Sequence, residues 1–245
     1  MPNFPGGTSG EYNGGGGSYN PPAPITPLHP TLKALFKGVN SLTDEDTEKL
    51  NRAFEEMRQK CFYETINKYV IRKGVQLGNI KMDPNYGGGK GLAGLSSAGN
   101  LTFKESSHIN TDNLCHEWIH LYQKTYNNMT LYGDKKGMME YEKDLIQDIL
   151  NFVQFGDFSK FHTWSNQMSV KLQDQLTYQN WIIDITKNGT SLPTIIDNKK
   201  YQELSILFGK YNSGYSPENG YVYGTNIYDS STIQSLFIES INNCK

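Results

Sequence analysis

His116-Glu117-Trp118-Ile119-His120 places two imidazoles four residues apart with a carboxylate beside the first. On a helix, four residues span about 400°, so His116 and His120 share one face a turn apart. Two imidazoles so placed can reach one tetrahedral Zn²⁺ at about 2.0–2.1 Å each. Glu117 is offset by one residue. It can lie beside the metal without binding it and take a proton from metal-activated water. With five histidines in 245 residues, an H-E-x-x-H pattern arises by chance in only about one in two hundred chains of this composition. Leu114, Trp118 and Leu121 form an apolar stripe, and Thr111 or Asp112 can cap the helix. The motif therefore sits on a helix that packs.

Two histidines leave the metal short of a ligand. Extending the motif to a third histidine would need glycine at 123 and histidine at 126, where Gln123 and Tyr126 stand. His29, His108 and His162 lie elsewhere. The helix-forming run from Gly137 to Asp144 is the better source, because Glu140 and Asp144 share a face at i, i+4. One can bind the metal while the other orients a liganding histidine through its free N–H. Glu142 competes as a ligand but points about 200° from Glu140.

His116-Glu117-x-x-His120, nineteen residues, then Glu140-x-x-x-Asp144 resembles the gluzincin metallopeptidases, of which thermolysin is the best known. The similarity covers about an eighth of the chain, and Met139 departs from the asparagine that precedes thermolysin's glutamate ligand. It implies zinc held by His116, His120 and Glu140, with Asp144 behind a histidine and Glu117 as general base on a peptide substrate. It also implies an α+β zincin-like fold. A strand near 99–104 would lie at the sheet edge facing the cleft, where substrate can add as an extra strand. A downstream Tyr or His stabilises the oxyanion in such enzymes, and His162, Tyr221 and Tyr223 are the candidates.

The elements that must position these groups follow from periodicity. Thr43 caps a helix with acids in its first turn. Leu50, Phe54, Met57 and Cys61 keep a 3-4 spacing, Tyr69 follows on that face, and Gly74 ends the helix. Cys61 reads as a small hydrophobe there. Strand pieces fall at 75–77, 80–82 and 101–104, giving a small sheet from residues 70–110. Helices are expected near 112–126, 137–153, 158–187, 198–210 and 231–243. Trp164, Met168 and Leu172 would make a core stripe. Cys115 packs under the active helix, about 100° from His116. Gly87 to Gly91 lacks phosphate-loop spacing, and 212–226 is a long tyrosine-rich loop.

Composition bounds the rest. The net charge of −2 excludes a nucleic-acid binder carried by bulk electrostatics. No run approaches 18 apolar residues, so no membrane span is expected. Three cysteines allow at most one bridge. Residues 1–30 carry seven prolines, seven glycines and one charge, Glu11. They read as a disordered tether ahead of a metallopeptidase domain at 31–245. Such a stalk suits an extracellular or envelope-anchored protein, with the cytoplasm as the alternative. The competing function is a non-catalytic zincin-fold surface protein that binds a partner.

Overall fold

The computed structural model describes residues 26–86, 92–127, 135–158, 164–166, 169–224 and 229–244. The glycine loop at 87–91, His162, Met168 and most of the expected tether lie outside these residues. No helix among them is long and apolar enough to cross a membrane.

The chain is α+β, a small mixed sheet followed by a helical half. Helix α1 (Pro30–Leu35) leads into β1 (Phe36–Asn40). Helices α2 (Asp44–Gln59) and α3 (Cys61–Arg72) then cross to β2 (Leu77–Met82). Strands β3 (Ala93–Leu95) and β4 (Leu101–Phe103) complete a sheet of order β1-β2-β4-β3. The first three in that order are parallel and β3 runs antiparallel. The sheet thus reaches back to residue 36, further than expected. The strand expected at the edge, β4, is interior, and the edge is β3. Its three residues alternate too briefly to be read as a strand from sequence.

Thr43 caps α2 as expected, and Asp46 returns the bond in a capping box. The single helix expected from Thr43 to Gly74 is two. Lys60 adopts an extended conformation (φ −82°, ψ 108°) that ends α2 and opens α3. Leu50, Phe54 and Met57 are buried as the pattern requires. Cys61 is not a packed hydrophobe: it forms a disulfide with Cys244, at the end of the last helix. Gly74 takes a positive φ of 64°, the left-handed conformation that stops α3 cheaply.

Residues 26–29, inside the expected tether, pack on α2. The Thr26 amide donates to Asp44 Oδ1 (3.1 Å), the His29 amide to Asn51 Oδ1 (2.8 Å), and Asn51 Nδ2 to the Pro27 carbonyl (2.9 Å). The packed part therefore includes Thr26.

The helical half holds α4 (Thr111–Tyr126), α5 (Lys136–Phe155), α6 (Leu172–Ile185), α7 (Asn198–Tyr211) and α8 (Ser231–Asn243). Four match expectation within a few residues. The helix expected at 158–187 does not. Trp164 is buried as expected but sits in a short 3-10 turn, and α6 starts at Leu172, which is 67 % exposed and so takes no part in the expected stripe. Asn110, rather than Thr111 or Asp112, caps α4 by accepting from the Asn113 amide. Trp118 anchors that helix in the core, donating from Nε1 to Asn67 Oδ1 at 2.5 Å.

The disulfide closes a loop of 183 residues in sequence, and a cross-link over so long a loop stabilises by about 2–5 kcal/mol. Cys61→Ala/Cys244→Ala is expected to lower the urea midpoint by a corresponding amount. Adding reductant should reproduce the loss in the wild type alone. Three titratable thiols in the unreduced, denatured wild type would contradict the bridge.

Candidate metal centre

Helix α4 is buried along nearly its whole length. Its position between the sheet edge and α5 fixes where its polar residues can go. Trp118, Ile119 and Tyr122 enter the core. His116 and His120 instead face Glu140 of α5. The two Nε2 atoms lie 3.1 Å apart, His120 Nε2 is 3.4 Å from Glu140 Oε1, and His116 Nε2 is 3.6 Å from Glu140 Oε2. Two ligands about 2.0–2.1 Å from a tetrahedral ion are about 3.3–3.4 Å apart. Each imidazole thus lies near that spacing from the other and from one oxygen of Glu140, and among the described residues this is the group of His, Cys, Asp and Glu side chains able to hold a metal.

The tautomer of His120 follows from its neighbour. Gln123 Nε2 donates to the Met139 carbonyl (3.0 Å) and to Glu142 Oε2 (2.8 Å). Gln123 Oε1 must then be the atom that meets His120 Nδ1 at 2.7 Å, and as an acceptor it needs a proton there. His120 Nε2 is left with a lone pair aimed at His116 Nε2 and the Glu140 carboxylate. In the neutral ring three lone-pair donors converge, two of them on buried side chains, an arrangement that either a proton on His120 Nε2 shared with Glu140 or a bound cation satisfies.

Glu117 is buried, and its Oε1 lies 3.7 Å from His116 Nε2, beside the cluster and outside it. Its Oε2 accepts from the Leu95 amide of β3 at 2.7 Å. Burial pushes its carboxyl up, and the nearby Glu140 charge adds to this; His120 and the Leu95 amide act the other way. Lys124, one turn from His120, donates from Nζ to the Leu95 carbonyl at 2.8 Å. Both outward main-chain groups of Leu95 are thus held by α4. Gly94 pairs with Thr102, so by antiparallel alternation the amide and carbonyl of Ala93 also point away from β4.

One expectation about α5 needs correction. Asp144 makes no hydrogen bond to either histidine. It accepts from the buried Lys143 ammonium, which also lies 3.9 Å from Glu140 and could not be buried without a counter-charge. The group behind His120 is Gln123, which the sequence reading passed over because it searched for carboxylates. Its i, i+3 spacing from His120 was the available signal. Glu142 stays out of the ligand set and holds Gln123.

The tyrosine-rich segment contributes Tyr215, in a short 3-10 turn (Ser213–Tyr215). Its hydroxyl donates to Glu140 Oε1 at 3.0 Å. Tyr221 packs edge-on to its ring, and Tyr223 donates to its carbonyl. Tyr221 and Tyr223 therefore buttress Tyr215 and do not themselves reach the cavity. A Cβ on Gly137 would come within 2.2 Å of the Tyr223 hydroxyl, and one on Gly209 within 2.5 Å of its ring. Those two glycines make the slot that admits it. Tyr86 brings its hydroxyl end onto β3, where a Cβ on Gly94 would be 1.6 Å from the hydroxyl.

A cavity of about 590 Å³ joins these parts, lined by residues 92–96 at the sheet edge, the two histidines, Glu117, Glu140, Lys136, Tyr86 and Tyr215. Burial, then the Glu117 and Glu140 carboxylates, push Tyr86 up to about 12. Burial, then Glu140, raise Tyr215 as well. Both hydroxyls keep their protons at neutral pH and serve as donors.

No protein-family model, curated protein or solved structure matches the chain. The site therefore has to be read from its own geometry.

Gln123→Met keeps the volume of the side chain and removes the acceptor for His120. Losing such an outer partner typically costs 10–100-fold in metal affinity. Competition with a chromophoric chelator should show that loss for Zn²⁺, and an unchanged affinity would refute the role given to Gln123.

Proposed function

We propose that this chain is a zinc-dependent peptide hydrolase of zincin-like fold, with His116, His120 and Glu140 as ligands and Glu117 as general base. The observation that carries this reading is the convergence of His116, His120 and Glu140 within ligand reach of one point, with the Glu117 carboxylate held just outside them. Two imidazoles and one carboxylate are a donor set zinc accepts, with room for an open position. Zinc bound there supplies a Lewis acid and water of lowered pKa.

The chain's own residues do the rest. Glu117 takes a proton from the attacking water and returns it to the leaving amine. Its Leu95 hydrogen bond fixes the carboxylate's position while leaving Oε1 toward the cluster. Substrate main chain pairs with Ala93 on the exposed side of β3, the role the sequence had suggested for residues 99–104. Tyr86 and, once its hydroxyl turns from Glu140, Tyr215 are the O–H donors on the cavity wall able to meet charge developing on the carbonyl oxygen. They take the role expected of Tyr221 and Tyr223, while His162 lies outside the described residues.

The Cys61–Cys244 disulfide supports an oxidising compartment, extracellular or in the cell envelope, with the Gly/Pro-rich stretch as a surface tether.

Glu117→Gln is expected to keep zinc and fold, because the amide oxygen can still accept from Leu95, but it cannot take up a proton. Hydrolysis of a mixed peptide library should fall roughly 10²–10⁴-fold. Equal rates in both proteins would exclude Glu117 as the base. Zinc at one per chain with no cleavage by the wild type would favour a partner-binding scaffold. Tyr86→Phe and Tyr215→Phe should separate the two donors, the true one losing about 10²–10³-fold in kcat.

A further inference from the structure

Lys136 opens α5 one helical turn before Glu140, so the two side chains share a face. It is half-buried and lines the metal-centre cavity. Its ammonium lies 5.7 Å from the centre of the Tyr215 ring, whose hydroxyl bonds Glu140. Among the described residues no carboxylate comes within ion-pair distance of it. The other lysine near the cluster, Lys143, is already matched by Asp144.

The charges in the cavity can be compared directly. The lining residues that carry formal charge are Glu117, Glu140 and Lys136, with the histidines neutral when they ligate. A divalent ion is balanced by the two carboxylates. Lys136 then remains as one unmatched positive charge, half-buried at the cavity wall, where a charge-assisted bond to an anion is stronger than in open water. A helical turn is about 5–6 Å long, and an extended peptide advances about 3.3–3.6 Å per residue. From the Glu140 side of the cluster the ammonium reaches about two residues along a bound peptide.

We propose that Lys136 recognises a substrate carboxylate, so that the cavity selects peptides carrying one within about two residues of the bond held at the cluster. The carboxylate is either an acidic side chain or the peptide's free C-terminus. This inference takes its peptide ligand from the hydrolase reading, and its test is built so that the two can fail separately.

Binding is measured by fluorescence anisotropy with labelled hexapeptides on the zinc-loaded Glu117→Gln chain. One pair differs by internal Glu against Gln, the other by C-terminal acid against amide. The carboxylate member of at least one pair should bind fivefold or more tightly, and which pair responds identifies the source. Lys136→Met keeps the aliphatic stem and should abolish the preference, while Lys136→Glu should reverse it. Equal binding within both pairs, or no binding at all, overturns the proposal. So does a preference that survives Lys136→Met, because the metal would then be the anion's partner. Cleavage by the wild type is scored separately. Cleavage without carboxylate preference keeps the hydrolase and removes Lys136. Preference without cleavage keeps Lys136 and removes the hydrolase.

Discussion

The main chain of Leu95 is held from both sides by one helix. Glu117 accepts its amide proton and Lys124 donates to its carbonyl, so β3 cannot move relative to α4 without breaking a buried charge-assisted bond. This clamp sets the width of the cavity. It also explains how an acid as buried as Glu117 is tolerated: one oxygen is satisfied by the strand and the other faces the cluster. The edge strand needs the clamp as well. Three residues paired on one side to β4 are too few to hold an edge by themselves.

The α4–α5 pair extends the same logic. His120 is oriented by Gln123, Gln123 by Glu142 and the Met139 carbonyl, and Glu140 by the Tyr215 hydroxyl. Each polar group buried near the cluster holds the next, and the series runs from the sheet edge to the segment after α7. Buried polar networks of this kind orient their members when every one is satisfied. Tyr223, in its slot between Gly137 and Gly209, fastens the far end.

The motif helix and its partner were legible because both depend on short-range spacing. The i, i+4 relation of His116 and His120, and the acids of α5, translate directly into shared faces. What the sequence hid depends on tertiary placement. Apolar spacing runs on through Lys60, yet the backbone bends there, and Cys61 has the spacing of a core residue although its partner is 183 positions away. Asp144 had the right spacing to reach a histidine, but a lysine beside it captured its charge. Tyr215 was one tyrosine among several in an irregular segment, and no periodicity distinguishes the one that enters the cavity. The edge strand was assigned to the stretch with the clearer alternation, which proved to be interior.

Every residue placed at the candidate metal centre, from Tyr86 to Tyr215, falls between Cys61 and Cys244. The disulfide therefore makes a covalent ring that contains the whole site and leaves α1, β1 and α2 outside it. If the Gly/Pro-rich stretch is fixed to a surface, any pull arrives through those outer elements. They can peel away one after another, whereas the chain between the two cysteines cannot be drawn out end to end. Under that attachment, mechanical load and chemistry would fall on different parts of one polypeptide.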